Sequence, residues 1–128
     1  MKDKTNKPPK VMIVEDEVLS AVVLKNALEK EGYEVSELVT KGEAAVRQAL
    51  ATPPDVILMD IYLSNHITGI EATRRIQSQQ DIPVLYISAY TDDDTMNRTR
   101  ETDNIGFVAK PFEIEDVTSI LDDYFVNQ

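Results

Sequence analysis

With 128 residues and a formal net charge of −10, the chain has room for one domain with a core between a sheet and its helices, and none for a second. It has no cysteine, which removes disulfides, thiolate metal sites and thiol nucleophiles. Nowhere does an apolar run approach the roughly 18 residues that mark a membrane span, and the N-terminus lacks the apolar block of a signal peptide. A cytoplasmic protein with no membrane contact is the expectation. The first ten residues hold four lysines against one aspartate, so a total of −10 with +3 in this segment leaves −13 on the remainder. Such a surface repels phosphate backbones, and no nucleic-acid binding is expected. Composition marks residues 1–9 as a disordered basic leader ahead of one domain over 10–128.

In chain order, Val11 to Val14 reads as a first buried strand. Val18, Leu19, Val22, Val23, Ala27 and Leu28 then recur at helical spacing and stop near Gly32. Tyr33 to Val39 alternates in part, as a second strand would, and Ala44, Ala45, Val46, Ala49 and Leu50 mark a short helix ended by Thr52, Pro53 and Pro54. A third strand, Val56 to Met59, runs into Asp60. After a polar loop, Thr68 and Glu71 have capping-box spacing for a helix through Ile76. A fourth strand, Val84 to Ile87, meets Ser88. The stretch from Thr91 to Asp103 is polar nearly all round, with Met96 its one strongly apolar residue, and predicts the least anchored helix. Thr91 with Asp94 predicts its cap, which makes the Asp92, Asp93, Asp94 run a helix start rather than a metal site. Phe107 to Ala109 forms the fifth strand, and Ile114, Val117, Ile120, Leu121, Tyr124 and Phe125 stripe a last helix.

Alternating strands and helices predict a parallel, helix-covered α/β sheet. Parallel strands end on one edge, so the polar residues that stop each apolar run should meet there: Glu15, Asp16, Asp60, Ser88 and Lys110. Grouped carboxylates suit a hard divalent cation that keeps waters for a phosphorylated partner, and the cation relieves their repulsion. Alone, Asp60 would be read as a loop cap, Glu15 or Asp16 as a helix cap, and Lys110 as a solvated surface lysine. His66, without neighbours at ligand spacing, reads as a polar loop residue.

Taken together, Val-Glu-Asp-Glu after the first strand, Asp60 after the third, Ser88-Ala89 after the fourth and Lys110-Pro111 after the fifth, with an aromatic residue three before the lysine, make the chain resemble the receiver domain of two-component response regulators. The resemblance implies a flavodoxin-like, doubly wound five-stranded parallel sheet in the order 2-1-3-4-5. It implies a phosphorylation-controlled signalling switch in which Asp60 takes a phosphoryl group from a histidine kinase or phosphotransfer protein. Apart from self-phosphotransfer and autodephosphorylation, no enzymatic turnover is implied. Asp16, Asp60 and the Tyr62 carbonyl would hold magnesium (or manganese), with Glu15 acting mainly through a bound water. Ser88, Lys110 and the backbone N–H groups of Tyr62 and Ala89 would hold phosphoryl oxygens. Ser88 and Phe107 would carry the switch, the Lys110–Pro111 bond would be cis, and a downstream target would dock on helix 4, strand 5 and helix 5. A phosphorylation-dependent homodimer is compatible with this scheme.

The chain departs from the common pattern with Glu for Asp at position 15, Ser for Thr at 88, Phe for Tyr at 107, and a loop after Asp60 without Met-Pro-Gly. Tyr62 and Tyr90 flank the expected path of the hydrolytic water, which predicts slow dephosphorylation by shielding. Two rivals come from other classes. A haloacid-dehalogenase-like hydrolase needs its nucleophile after the first strand, whereas Asp60 follows the third. A flavodoxin-like carrier needs a Ser/Thr/Gly-rich phosphate loop where this chain has Glu15, Asp16 and Glu17. A third alternative, a phosphate-independent receiver, conflicts with the intact site.

Overall fold

The computed structural model describes residues 7–63 and 67–126. Five strands, β1 (Lys10–Val14), β2 (Glu34–Val39), β3 (Val56–Asp60), β4 (Val84–Ser88) and β5 (Gly106–Ala109), alternate with α1 (Val18–Lys30), α2 (Gly42–Ala51), α3 (Gly69–Gln77), α4 (Asp93–Thr99) and α5 (Ile114–Val126). All pairings are parallel, in the order β2-β1-β3-β4-β5. The expected flavodoxin-like topology is the observed one.

The middle strands are covered on both faces, so every residue of β3 and β4 is buried, whereas β2 and β5 at the sheet edges are only partly so. This is why Val56 to Met59 and Val84 to Ile87 read as unbroken apolar runs and β2 alternates. On one face Met12, Ile57, Met59 and Tyr86 pack against Ala45 and Ala49 of α2 and Ile70 and Ile76 of α3. On the other, Val11, Ile13, Leu58 and Leu85 pack against Leu24 and Leu28 of α1 and Val117 and Leu121 of α5.

Of the apolar residues whose spacing marked α1, Val18 (60% exposed), Leu19 (74%), Val22 (37%) and Val23 (62%) stand in water, while Leu28 faces inward with Ala21 and Leu24. Two apolar stripes run along this helix, and spacing alone does not say which one meets the sheet. In α4 the cap is Asp92, not Thr91; its carboxylate accepts from the Thr95 N–H at 3.1 Å and the Thr95 hydroxyl at 2.8 Å. The helix is also shorter than the polar stretch suggested, and its buried residues are Thr95 and Thr99 rather than Met96. At α3 the expected cap is present, with Thr68 Oγ1 accepting from the Glu71 N–H at 3.1 Å.

Of the proposed leader, Met1 to Asn6 lie outside the described residues. Pro9 is buried, and its carbonyl accepts from the Glu34 N–H at 3.1 Å. Among the described residues no helix is long and apolar enough to cross a membrane.

Candidate functional site

Parallel pairing carries each strand to the same edge, and there the interrupting polar residues converge. Glu15 follows β1 directly, its N–H bonded to the Val39 carbonyl at 2.9 Å as a continuation of the ladder. Asp60 ends β3 in register with Ile87, and Ser88 ends β4 in register with Ala109. Lys110 follows β5, its N–H bonded to the Ser88 carbonyl at 2.8 Å.

Lys110 Nζ joins the two buried carboxylates, at 2.6 Å from Glu15 Oε1 and 2.8 Å from Asp60 Oδ2. Glu15 and Asp60 are 3% and 5% exposed. Burial lifts the Glu15 carboxyl above the ordinary range against hydrogen bonds from Lys110 and the Glu17 N–H, with the Asp60 charge adding to the rise. For Lys110, burial pulls the ammonium down, but hydrogen bonds to Asp60 and Glu15, together with their charges, outweigh it and hold the group above the usual lysine value. Glu15, Asp16 and Asp60 each offer an oxygen, all within 4.8 Å of one another. With all three ionised beside one ammonium, the cluster carries a net −2, which a divalent cation cancels. The all-oxygen donor set suits magnesium.

Backbone geometry completes the edge. The Tyr62 N–H points at Asp60 Oδ1 across 3.3 Å, and the Tyr90 N–H donates to Ser88 Oγ at 3.0 Å. Ser88 is fully buried, whereas Ala89 is exposed beside it. Phe107 is half-buried, packed against the core on the α2–α3 face. The Lys110–Pro111 bond is cis, as the resemblance implied. Ser64, Asn65 and His66 lie outside the described residues.

Sequence reasoning passed over Gly69. A Cβ there would fall 2.0 Å from the Asp60 carbonyl oxygen and 2.8 Å from Met59 Cγ, so the returning loop seats itself on the acceptor strand only because position 69 has no side chain. Its N–H bonds the Ile61 carbonyl at 2.7 Å. A lone glycine at the first position of a helix, where it lowers helix propensity, was the available signal. Also missed was the tie from Tyr62 to α4, where Tyr62 Oη lies 2.5 Å from Thr95 Oγ1.

Residues 11–122 match the model of the response regulator receiver domain. The chain belongs to that family. It is 33% identical over 110 residues to the transcriptional regulatory protein PdtaR of Mycobacterium tuberculosis, covering 86% of this chain and 53% of PdtaR, so the chain spans about half the length of that curated relative. The signal receiver domain of a modulated diguanylate cyclase from Desulfovibrio desulfuricans G20 superposes with a TM-score of 0.86 at 32% identity, over 94% of this receiver and 95% of that one. A receiver domain from a sensor histidine kinase of Pseudomonas aeruginosa PAO1, solved with magnesium coordinated in its active-site cleft, gives 0.83 at 28% identity, over 94% and 99%. Receiver domains of this family serve phosphorylation-controlled signalling, and the acidic cluster of this one fits magnesium.

Beside the acidic cluster runs a groove of about 630 Å³ between α1 and the segment that leads into α5, with Leu19 and Val23 on one side and Pro111 and Phe112 on the other, and Glu15 and Lys110 at its end. The stripe of α1 that the fold leaves in water borders it.

Proposed function

We propose that Asp60 is the phosphoacceptor of a two-component signalling switch, and the observation that carries this reading is the meeting of Asp60 with Glu15, Asp16 and Lys110 on one strand edge. An Asp60 carboxylate oxygen forms the bond to phosphorus while the bond from phosphorus to the donor's histidine nitrogen breaks, its electron pair returning to the imidazole. Asp16, Asp60 and the Tyr62 carbonyl would hold magnesium, or manganese, which has the same preference for hard oxygen donors, and Glu15 would act mainly through a bound water. When bound, the cation supplies positive charge against the transferring phosphoryl oxygens. Lys110 is a second fixed charge that turns from the carboxylates toward the new phosphoryl group, and Ser88 Oγ with the N–H groups of Tyr62 and Ala89 completes the cradle.

Such contacts exist only after transfer, which is what lets phosphorylation bias a conformational equilibrium. Ser88 moves toward the phosphoryl oxygens and Phe107 repacks in response, altering the face of α4, β5 and α5 where the downstream target, or a second copy of the receiver, docks. The phosphohistidine-bearing partner docks over the apolar stripe of α1 and the adjoining groove, because that surface ends at the acceptor cluster and its apolar exposure has no use in the isolated fold. The domain proper covers 10–128 behind a basic leader, in the cytoplasm where such kinases present their phosphohistidine.

Incubation with magnesium and acetyl phosphate, followed by intact-mass analysis, tests the acceptor reading. One phosphoryl adduct in the wild type and none in Asp60→Asn is expected, with the adduct abolished by a chelator. An adduct that persists in Asp60→Asn overturns it.

A further inference from the structure

Tyr62 and Tyr90 lie two residues beyond Asp60 and Ser88, the ends of the adjoining strands β3 and β4. Each backbone N–H is anchored in the site, Tyr62 on Asp60 Oδ1 and Tyr90 on Ser88 Oγ, and the two rings meet edge to face, with centroids 5.0 Å apart at 77°. Both remain substantially exposed, 43% and 59%, so little packing holds either ring. An unpacked aromatic ring samples several rotamers. What restrains Tyr62 is its hydroxyl, 2.5 Å from Thr95 Oγ1.

The direction of that bond follows from the next one. Thr95 carries one hydroxyl proton, and it points at Asp92 Oδ1, 2.8 Å away. Hydrogen bonds from Thr95 hold the Asp92 carboxyl below its ordinary range, so near neutrality it is ionised and can only accept. The Thr95 proton therefore belongs to Asp92, and Tyr62 must donate to Thr95. Thr95 itself is fully buried, fixed at the start of α4 by the same carboxylate that caps the helix.

We propose that Thr95 is a positioning residue for the acceptor site: it pins the Tyr62 ring against Tyr90 beside Asp60 and Ser88 and so sets how readily water reaches the acyl phosphate. This rests on the reading of Asp60 as phosphoacceptor. In the step it governs, a water oxygen bonds to phosphorus as the bond from phosphorus to the Asp60 oxygen breaks, the aspartate leaves with the electron pair, and the water proton passes to the departing phosphate or solvent. Because Thr95 sits on α4, a displacement of that helix releases the ring, which ties the lifetime of the phosphorylated form to the helix position.

The test follows phosphoryl loss by intact mass, after loading with acetyl phosphate and magnesium, in wild type, Tyr62→Phe, Thr95→Val, Thr95→Ser and the Tyr62→Phe/Thr95→Val double variant. A bond of this kind holds a side chain strongly enough to change a rate about three- to ten-fold. Loss is expected to quicken by that factor in Tyr62→Phe and Thr95→Val, to quicken no further in the double variant, and to stay at the wild-type rate in Thr95→Ser. A purely structural role for Thr95 would leave Tyr62→Phe unchanged or make the two effects additive, and either outcome overturns the proposal. Wild type that loads while all variants lose phosphate at its rate overturns this inference alone; wild type that never loads overturns the acceptor reading and this inference with it.

Discussion

Among single residues, the bridge at Lys110 concentrates the electrostatic cost of the site. One ammonium, 28% exposed, serves two carboxylates that are almost wholly buried. Removing one partner of a buried ion pair costs about 3–5 kcal/mol, because the charge left behind has no partner. Part of that cost is relieved here because Glu15, already lifted above the usual carboxylate range, can take up a proton. Lys110→Ala is therefore expected to lose about 1–3 kcal/mol in urea unfolding without metal, and to recover part of it when magnesium is added; no recovery would count against the metal reading of the cluster. Gly69 governs the same acceptor sterically. Gly69→Ala forces a methyl into the Asp60 carbonyl, and overpacking of this kind costs about 1–3 kcal/mol. The variant should unfold at lower urea and load phosphate more slowly, whereas an unchanged loading rate would mean that the loop can yield without moving Asp60.

Among the elements, α1 shows where sequence reading stopped short. The helix was legible from its apolar spacing, but it carries two apolar stripes, and only the positions of the strands decide which is covered. The contrast gives a direct check. Leu24→Ala, from the inward face, is expected to cost about 2–5 kcal/mol, while Leu19→Ser/Val23→Ser, from the exposed stripe, should stay within about 0.5 kcal/mol of wild type. If that stripe receives the phosphodonor, the double variant accepts phosphate normally from acetyl phosphate and slowly from a phosphorylated histidine domain. Equal slowing with both donors would place the defect in the site instead. At α3 and α4 the reading fared differently for a physical reason. Thr68 stands alone as a capping residue three before Glu71, whereas Thr91 and Asp92 are adjacent candidates, and the choice between them turned on a second bond from the Thr95 hydroxyl that spacing does not reveal. Thr68→Ala is expected to cost about 1 kcal/mol in thermal or urea unfolding.

Over the whole molecule, the strands and their ends were legible because the apolar runs of β1, β3 and β4 are covered on both faces, so that each polar interruption at Glu15, Asp60 and Ser88 marks a strand end; their order in the sheet came from the family resemblance, since burial does not say which strands are neighbours. The same logic put the carboxylates and Lys110 on one edge, where their atoms lie within hydrogen-bonding or ligand distance. What the sequence left hidden are relations between distant segments: the loop returning onto Asp60 at Gly69, the Tyr62–Thr95 tie, and Tyr33 donating to Asp122 of α5. This last bond closes the start of β2 onto the C-terminal helix. Burial first, then the bond to Asp122 and its charge, raise the Tyr33 phenol above its ordinary value. A raised acid favours the folded state while protonated, so this stabilisation is complete below the ordinary tyrosine value of about 10 and is lost as pH climbs through the folded value. Tyr33→Phe should lower stability near neutrality by about 0.5–1.5 kcal/mol and flatten the alkaline decline seen in urea titrations, leaving the share of Tyr86 and Lys110, which are also raised. An alkaline limb as steep as wild type would show that Tyr33 is not its source.

Chemical trapping of the loaded protein bears most directly on the claim that Asp60 accepts the phosphoryl group. Borohydride reduces an acyl phosphate on aspartate to homoserine, which peptide mass mapping locates by residue. Homoserine at position 60, formed only after loading with acetyl phosphate and magnesium, is the expected result; homoserine at another acidic residue, or none in a protein that carries the phosphoryl adduct, would contradict it.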